Sequence, residues 1–355
     1  GLIQKTNGAA QTLLNTGTYT QAAGATLDVD AGTLNLTLNN TYSGTINVDP
    51  GATLALPSGS HTFNSGLSLT GAGNLTLNGA TLTLGGPFTF GAANPLFAMS
   101  AGTLTSASAF TDNQAFAWSG GTLTGTGLLT TNGATTITNA PLLNGKTWDN
   151  ANTLTLAAGA SNRLQLATNA IVNNQAGATV LIDSTYVNAF ENASGAAAHQ
   201  VNNAGLIQKT NGAAQTLLNT GTITNASTGT IQVDAGTLTV NLLPTNDGAI
   251  DVVSTGAVYS TGGNNLLNST TGVIRGNGTI DLGTATLTNN GIIRPGTSPG
   301  LLTITGNLTL TGASVIDFEL GGLTRGTQYD AIDVTGSATI DGTANIIHFG
   351  GFVPA

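Results

Sequence analysis

Residues 1–18 read GLIQKTNGAAQTLLNTGT, and residues 205–222 read GLIQKTNGAAQTLLNTGT again without a change. The likeness continues more loosely downstream, where YTQAAGATLDVDAGTLNL at 19–36 answers ITNASTGTIQVDAGTLTV at 223–240. Long self-similarity marks a chain built from stacked units rather than around one globular core. The repeated block opens the sequence, so the pattern also implies further copies upstream of Gly1.

The unit can be sized. Gly-x-Ile/Leu/Val, preceded by Asn or another small residue, recurs at Gly205, Gly229, Gly248, Gly272 and Gly291, a beat of 24, 19, 24 and 19 residues. The first half keeps a similar beat at Gly1, Gly24, Gly44 and Gly66. Between the glycines lie short alternations such as TLNLTL (33–38), TLTL (81–84 and 153–156), TLTV (237–240) and NLTLTG (307–312). Period-2 alternation over so few residues makes half-buried strands with Leu, Ile or Val inward and Thr outward. Thr suits such strands because its branched Cβ favours extended dihedrals. No 3.6-residue stripe of helical length interrupts them. The expectation is an all-β chain, a right-handed parallel β-helix (β-solenoid) with coils of roughly 19–24 residues, each strand paired with its successor about 4.8 Å away. About 15 coils would make a rod about 70 Å long. Outward Thr and Asn rows are expected to form ladders between coils. Residues 1–355 then form a single solenoid, part of a longer array.

Within it, residues 85–150 stand apart as aromatic-rich, irregular coils. Phe88, Phe90, Phe97, Phe110, Phe116, Trp118 and Trp148 concentrate there, and NPLF (94–97) and TDNQAFAW (111–118) read as longer excursions. Bulky rings either fill the core or, if exposed, anchor a sugar or a partner; the binding candidates are Phe110, Phe116, Trp118 and Trp148.

Charged residues make up 6 % of the chain, against roughly 25 % in an ordinary domain, so the outer face is built from hydroxyls and amides. With 40 % hydrophobic residues at regular intervals, disorder is disfavoured. The seven basic residues are scattered singly, which leaves no nucleic-acid footprint. Gly, Asn or Thr interrupts every apolar run, so no membrane span of 18 residues or more is expected. The chain has no Cys, hence no thiol chemistry and no disulfide, as suits a protein exported unfolded.

The C-terminal third carries a resemblance. NNGIIRPGTSPGLLTITGNLTLTGASVIDFELGG (289–322), followed by YDAIDVTGSATIDGTANI (329–346), resembles the distal part of bacterial autotransporter passenger domains and related large surface exoproteins. Residues 289–355 thus read as passenger-like C-terminal coils, and the upstream coils share the style more loosely. The resemblance implies a right-handed parallel β-helix, export across the outer membrane, and display on or release from the cell surface. Such passengers continue into a membrane β-barrel, whereas this sequence runs to FVPA (352–355).

Motifs for chemistry are weak. GTSPG (296–300) matches G-x-S-x-G, but the residue after Ser298 is Pro299, which has no N–H for an oxyanion hole, so the segment reads as a rigid turn. Paired carboxylates for glycosidase chemistry could be Asp28 with Asp30 or Asp330 with Asp333, although Gln232 replaces Asp28 in the second copy. His61, His199 and His348 lack metal-ligand spacing, the G-G-x-G-x-D calcium repeat is missing, and GAGNLTLNG (71–79) precedes no helix that would cradle phosphate. No metal, cofactor or catalytic residue is expected.

The function expected is a secreted or cell-surface structural stalk or adhesin, outside the bacterial outer membrane. It would attach to a host or neighbouring-cell surface or a polysaccharide, or self-associate into fibres or a matrix through open strand edges. The alternatives are an ice-binding solenoid, for which T-L-T at 81–83, 103–105 and 122–124 gives a few suitable coils, and a polysaccharide-processing β-helix enzyme.

Overall fold

The computed structural model describes residues 1–13, 16–195 and 198–352. Leu14 and Asn15 of the first repeat copy, and residues 353–355 of the terminal FVPA, lie outside the described residues. The chain is a β-solenoid: parallel strands wound in about 14 coils, with no helix among the described residues. Its contacts divide it into two compact units, one of Gly1–Ala157, Ser161–Val172 and Asn192–His199, the other of Ala158–Ala160, Asn173–Glu191 and Gln200–Ala355.

In the second unit the glycine beat is the coil. Strands Leu206–Lys209, Thr230–Val233, Ala249–Val252, Val273–Gly276 and Ile292–Pro295 each begin one residue after the glycines read from the sequence. The register stacks Ile207 on Ile231, Ile250, Ile274, Ile293 and Ile316, a column at most 8 % exposed. One coil could not bury such a row; its neighbours above and below do. The glycines are needed where one coil's corner touches the next. A Cβ on Gly248 would lie 2.3 Å from the carbonyl oxygens of Ala226 and Gly229, inside any tolerable contact.

Beside this column runs a second, polar one. Asn174, Asn203, Asn225, Asn246, Asn268 and Asn289 stack in successive coils, each Nδ2 donating to the next Oδ1 at 2.7–2.8 Å. Their amides also donate to nearby corner carbonyls, as Asn225 does to Ala249 and Asn268 to Gly272, both at 3.0 Å. All six are at most 1 % exposed. The expected Asn ladder therefore exists, but inside the wall. Its amides close the backbone groups that a tight corner leaves unpaired, which an outward Asn could not do.

The first unit is built alike. Leu82, Leu104, Leu123 and Leu143 continue in register, as do Leu34, Leu54, Leu75 and Phe97. Residues 85–150 keep the coil-to-coil pairing, with register shifts where Leu96–Ser106 pairs with the preceding coil. Phe110–Asp112 and Phe116–Trp118 are strands of three residues paired with the coils on either side, and Leu96–Ser106 is one long strand. Inward Phe and Trp disguise the Leu/Thr alternation in the sequence without changing the backbone period.

Replacing Asn246 by Ala removes its bonds to Asn225, Asn268 and Gly248 at once. It leaves a buried donor and a buried acceptor unmet. A loss of roughly 2–4 kcal/mol, at about 1–3 per orphaned group and partly relieved by water, is expected from urea unfolding.

Candidate functional site

The four aromatic candidates are core residues. Phe110, Trp118 and Trp148 are 0 % exposed and Phe116 is 1 % exposed. They belong to a chain of ring contacts through the first unit: Phe90 stacks on Phe97 at 4.9 Å, Phe97 on Phe116 at 5.4 Å, Phe116 on Trp118 at 5.8 Å, and Trp118 meets Trp148 edge-on at 6.0 Å. Both indole N–H groups donate internally, Trp118 to the Gly120 carbonyl at 3.0 Å and Trp148 to the Thr131 hydroxyl at 2.9 Å. Nothing outside reaches these rings, so they form no binding patch. The parity of the strands decides it: in FAW (116–118) the rings sit at the two inward positions and Ala117 at the outward one.

What the first unit does present outward is threonine. Thr20, Thr41, Thr62, Thr83, Thr105 and Thr124 pair successively, one per coil, in six consecutive coils. Two residues earlier on the same strands, Ser60, Thr81, Thr103 and Thr122 form a parallel column. The inward residues between the two columns, His61, Leu82, Leu104 and Leu123, are at most 1 % exposed, so both hydroxyl columns stand on a packed sheet. Along each column the spacing is that of the strands, about 4.8 Å, and across the columns about 6.6 Å. The regularity ends at the next coil, where Leu142 and Asn144 take these places. The sequence displayed three of these T-L-T sites; the register that aligns them with Thr20, Thr41 and Thr62 appears only in the structure.

Six charged residues of the second unit, Asp251, Arg275, Arg294, Asp317, Glu319 and Asp330, line one groove. A ladder of outward residues runs Gln208, Gln232, Asp251, Arg275, Arg294. Arg275 bonds Asp251 at 3.1 Å and Arg294 bonds Asp317 at 2.8 Å. Burial opposes ionisation of Asp317, yet the Arg294 guanidinium and the Asn345 amide hold its carboxyl below the usual value. Beside the ladder, Pro295–Gly300 closes a groove of about 390 Å³ that also includes Glu319 and Asp330. Ser298 occupies its tip with φ 128°, an unusual conformation for a residue with a Cβ. Asp330 is anchored from beneath, accepting the Gly300 and Glu319 amides at 2.6 and 2.7 Å. Burial raises its pKa, with those two amides opposing. No histidine lines the groove that would serve Ser298 as a base, and Pro299 follows it. A second groove, about 600 Å³ and apolar, is lined by Leu308, Leu310, Ile316, Phe318, Ile332 and Val334 among others.

The remaining candidates hold structure together. Gln4 bridges Asp28 and Asp30 at 3.4 and 2.9 Å, and Asn47 binds Asp28 and Asp49 at 2.8 Å each. Desolvation, then the neighbouring Asp28 and Asp49, push the Asp30 pKa up. Asp333 pairs with Arg325, separate from the amide-bound Asp330. His61 is buried against Asn40 and the Ser58 carbonyl, His199 is buried, and His348 is exposed on the strand Thr343–His348. Among the described residues no three His, Asp or Glu side chains converge to hold a metal ion. No helix of the described residues is long and apolar enough to cross a membrane.

Buried lysines escaped the reading of the sequence: Lys5, Lys146 and Lys209 are at most 4 % exposed. Lys146 donates to the Ser106 hydroxyl at 2.7 Å and the Gly127 carbonyl at 2.6 Å. Lys209 donates to the Ala235 carbonyl at 3.1 Å and to that of Asn211. The signal was parity: in LIQK the Lys stands at the inward position that Val233 and Val252 take in the next coils. Burial lowers the Lys146 and Lys209 ammonium pKa values to about 8. Above pH 8 the folded chain therefore holds fewer protons than the unfolded chain, whose lysines titrate near 10.5. Stability must rise with pH in that window. The thermal midpoint is expected to climb between pH 8 and 9.5, and Lys146→Met to remove about half of the climb, leaving the share of Lys209.

Comparison of the chain with protein-family models, with curated proteins and with solved structures finds no match.

Proposed function

We propose that this chain is an exported, non-catalytic structural and adhesive solenoid, acting at the bacterial cell surface as a stalk or matrix component. Its contacts are many and individually weak: hydroxyl and amide columns on a nearly uncharged face bind a neighbouring cell, a polysaccharide or another copy by multivalency. The support is the six-coil threonine column, an ordered outward surface that carries no charge to repel a partner. The residues suited to catalysis are engaged in ion pairs, turns and corner hydrogen bonds, which fits a scaffold. The C-terminal resemblance to autotransporter passengers supports the location.

The test is display on a non-adherent bacterium. Wild-type protein is expected to cause cell aggregation or retention on polysaccharide. Thr62→Lys, Thr83→Lys and Thr105→Lys together, at outward positions that leave the core intact, are expected to reduce it roughly tenfold or more, because a multivalent contact fails steeply when its repeats are interrupted. Display without any adhesion, or adhesion untouched by the triple variant, refutes the reading.

A second reading, ice binding, is favoured by the in-register pairs Ser60/Thr62, Thr81/Thr83, Thr103/Thr105 and Thr122/Thr124. Such a two-dimensional array of hydroxyls standing on a packed sheet is suited to ordered water. It predicts a freezing point held below the melting point in the presence of purified protein, with the gap closed by Thr83→Tyr. Coincident freezing and melting points exclude it.

A further inference from the structure

One column of the first unit changes character along its length. Leu82, Leu104, Leu123 and Leu143 follow one another inward, each 0 % exposed. In the two coils before Leu82 the same column holds Asn40 and then His61, which are 5 % and 1 % exposed. Leucine fills the place in four coils, so packing does not call for the polar pair. The pair lies directly behind the threonine face. Thr41 and Thr62 are the outward neighbours of Asn40 and His61 on the strands Asn40–Tyr42 and Ser60–Phe63.

Hydrogen bonding fixes the protonation of the pair. Nε2 of His61 lies 3.0 Å from the Ser58 carbonyl oxygen, which can only accept, so Nε2 carries the proton. Nδ1 is therefore a bare acceptor, and Nδ2 of Asn40 donates to it at 3.4 Å. Asn40 is not free to turn, because its Oδ1 accepts the Tyr19 amide at 3.1 Å. A proton on Nδ1 would set N–H against N–H. Turning the Asn40 amide over would only move that clash to the Tyr19 N–H. Neither orientation satisfies an imidazolium and the Tyr19 amide together.

Nothing nearby compensates. The Tyr42 ring lies 6.2 Å from the imidazole, with Tyr19 beyond it, and burial raises the pKa of both phenols, which stay neutral. The strand Asn74–Leu84 on the other side has no titratable residue. No carboxylate, lysine or arginine is among the groups that bear on the ring's charge. Burial lowers the His61 pKa below 6.5, and the Ser58 and Leu36 carbonyls oppose it only in part.

We infer that His61 and Asn40 form an acid-sensitive latch behind the threonine column: when His61 takes up a proton, the strands Asn40–Tyr42 and Ser60–Phe63 part, and Thr41 and Thr62 leave the register they share with Thr20 and Thr83. The consequence for binding rests on the adhesive reading. The column is cut at its second and third coils, so a multivalent contact made at neutral pH is released in acid. The sign follows from linkage. The open form binds a proton that the closed form does not, so closure is lost as pH falls below 6.5, by up to about tenfold per pH unit. Asp112 of the same unit acts oppositely, since burial raises its pKa to about 6 and acid favours the folded chain there.

The experiment measures amide hydrogen exchange of the full chain at pH 7.5 and 5.0, as protection factors corrected for the intrinsic rate. Protection of the Ser60–Phe63 amides is expected to fall about tenfold in the wild type. In His61→Gln, which keeps an acceptor for Asn40 and a donor for Ser58 but does not titrate, a change of less than about twofold is expected. His61→Leu, the choice of the next four coils, replaces it if the Gln variant does not fold. Constant protection in the wild type, or an equal fall in the variants, overturns the inference. So does a His61 imidazole whose nuclear resonances titrate with a midpoint at or above 6.5. Adhesion of displaying cells, read at both pH values, separates this claim from the adhesive reading. Wild-type cells that detach at pH 5.0 while His61→Gln cells remain support both. Lost protection at pH 5.0 without adhesion at either pH leaves the latch and removes the adhesive reading. Adhesion that persists at pH 5.0 despite lost protection removes the latch's control of binding.

Discussion

Parallel, in-register stacking is the constraint on which everything else in this molecule depends. In such a stack each residue meets its own structural equivalent above and below, so every position must satisfy itself along a column. Isoleucine does this by packing, and the column from Ile207 to Ile316 excludes water along six strands. Asparagine does it by hydrogen bonding, because a primary amide is donor and acceptor at once. The ladder from Asn174 to Asn289 passes one N–H upward at each step and spends the other on a corner carbonyl. A carboxylate or an ammonium cannot do this, since each is only an acceptor or only a donor.

That asymmetry accounts for the scarcity of charge better than any requirement at the surface. A charged residue repeated along a column repels its own copies about 4.8 Å away. Where charges do occur in columns, opposite signs meet: Asp251 on Arg275, Arg294 on Asp317. Arg275 and Arg294 form a like-charged step, and each is neutralised from its far side. These pairs are partly exposed and contribute little to stability; they keep the column tolerable. The buried Lys146 and Lys209 are each held by acceptor oxygens, and the register neighbours of Lys209 are Ile182 and Val233.

The same constraint explains what was readable in the chain. Gly205, Gly229, Gly248, Gly272 and Gly291 gave coil lengths that the strands reproduce, because a Cβ at those corners would collide with the coil beneath. Class and period are properties of spacing, and spacing is printed in the sequence. Direction is not. Asn rows were expected to face outward with the threonines, whereas the ladder through Asn246 faces inward, and Phe116 and Trp118 were open to either side, because inward and outward differ by one residue of phase. Lys209 shows the point from the opposite direction: its phase placed it inward, but its chemistry argued for solvent. Alignment between coils was harder still. Thr20 and Thr124 belong to one column although unequal turns separate the coils, and only the pairing register joins them.

The threonine column is informative for the same reason. Inward positions must be apolar or hydrogen-bonded, because the core fails otherwise; outward positions carry no such obligation. The Asn74–Thr76 strand faces Leu96 and Ala98 in the next coil, and Thr122 is followed by Leu142. Strand preference would be served as well by Val, Ile or Tyr in any order. Six threonines in consecutive coils, with four Ser or Thr beside them, exceed what folding asks of that face. The excess order lies on the side open to other molecules, and contact with something that is itself repetitive would make use of it.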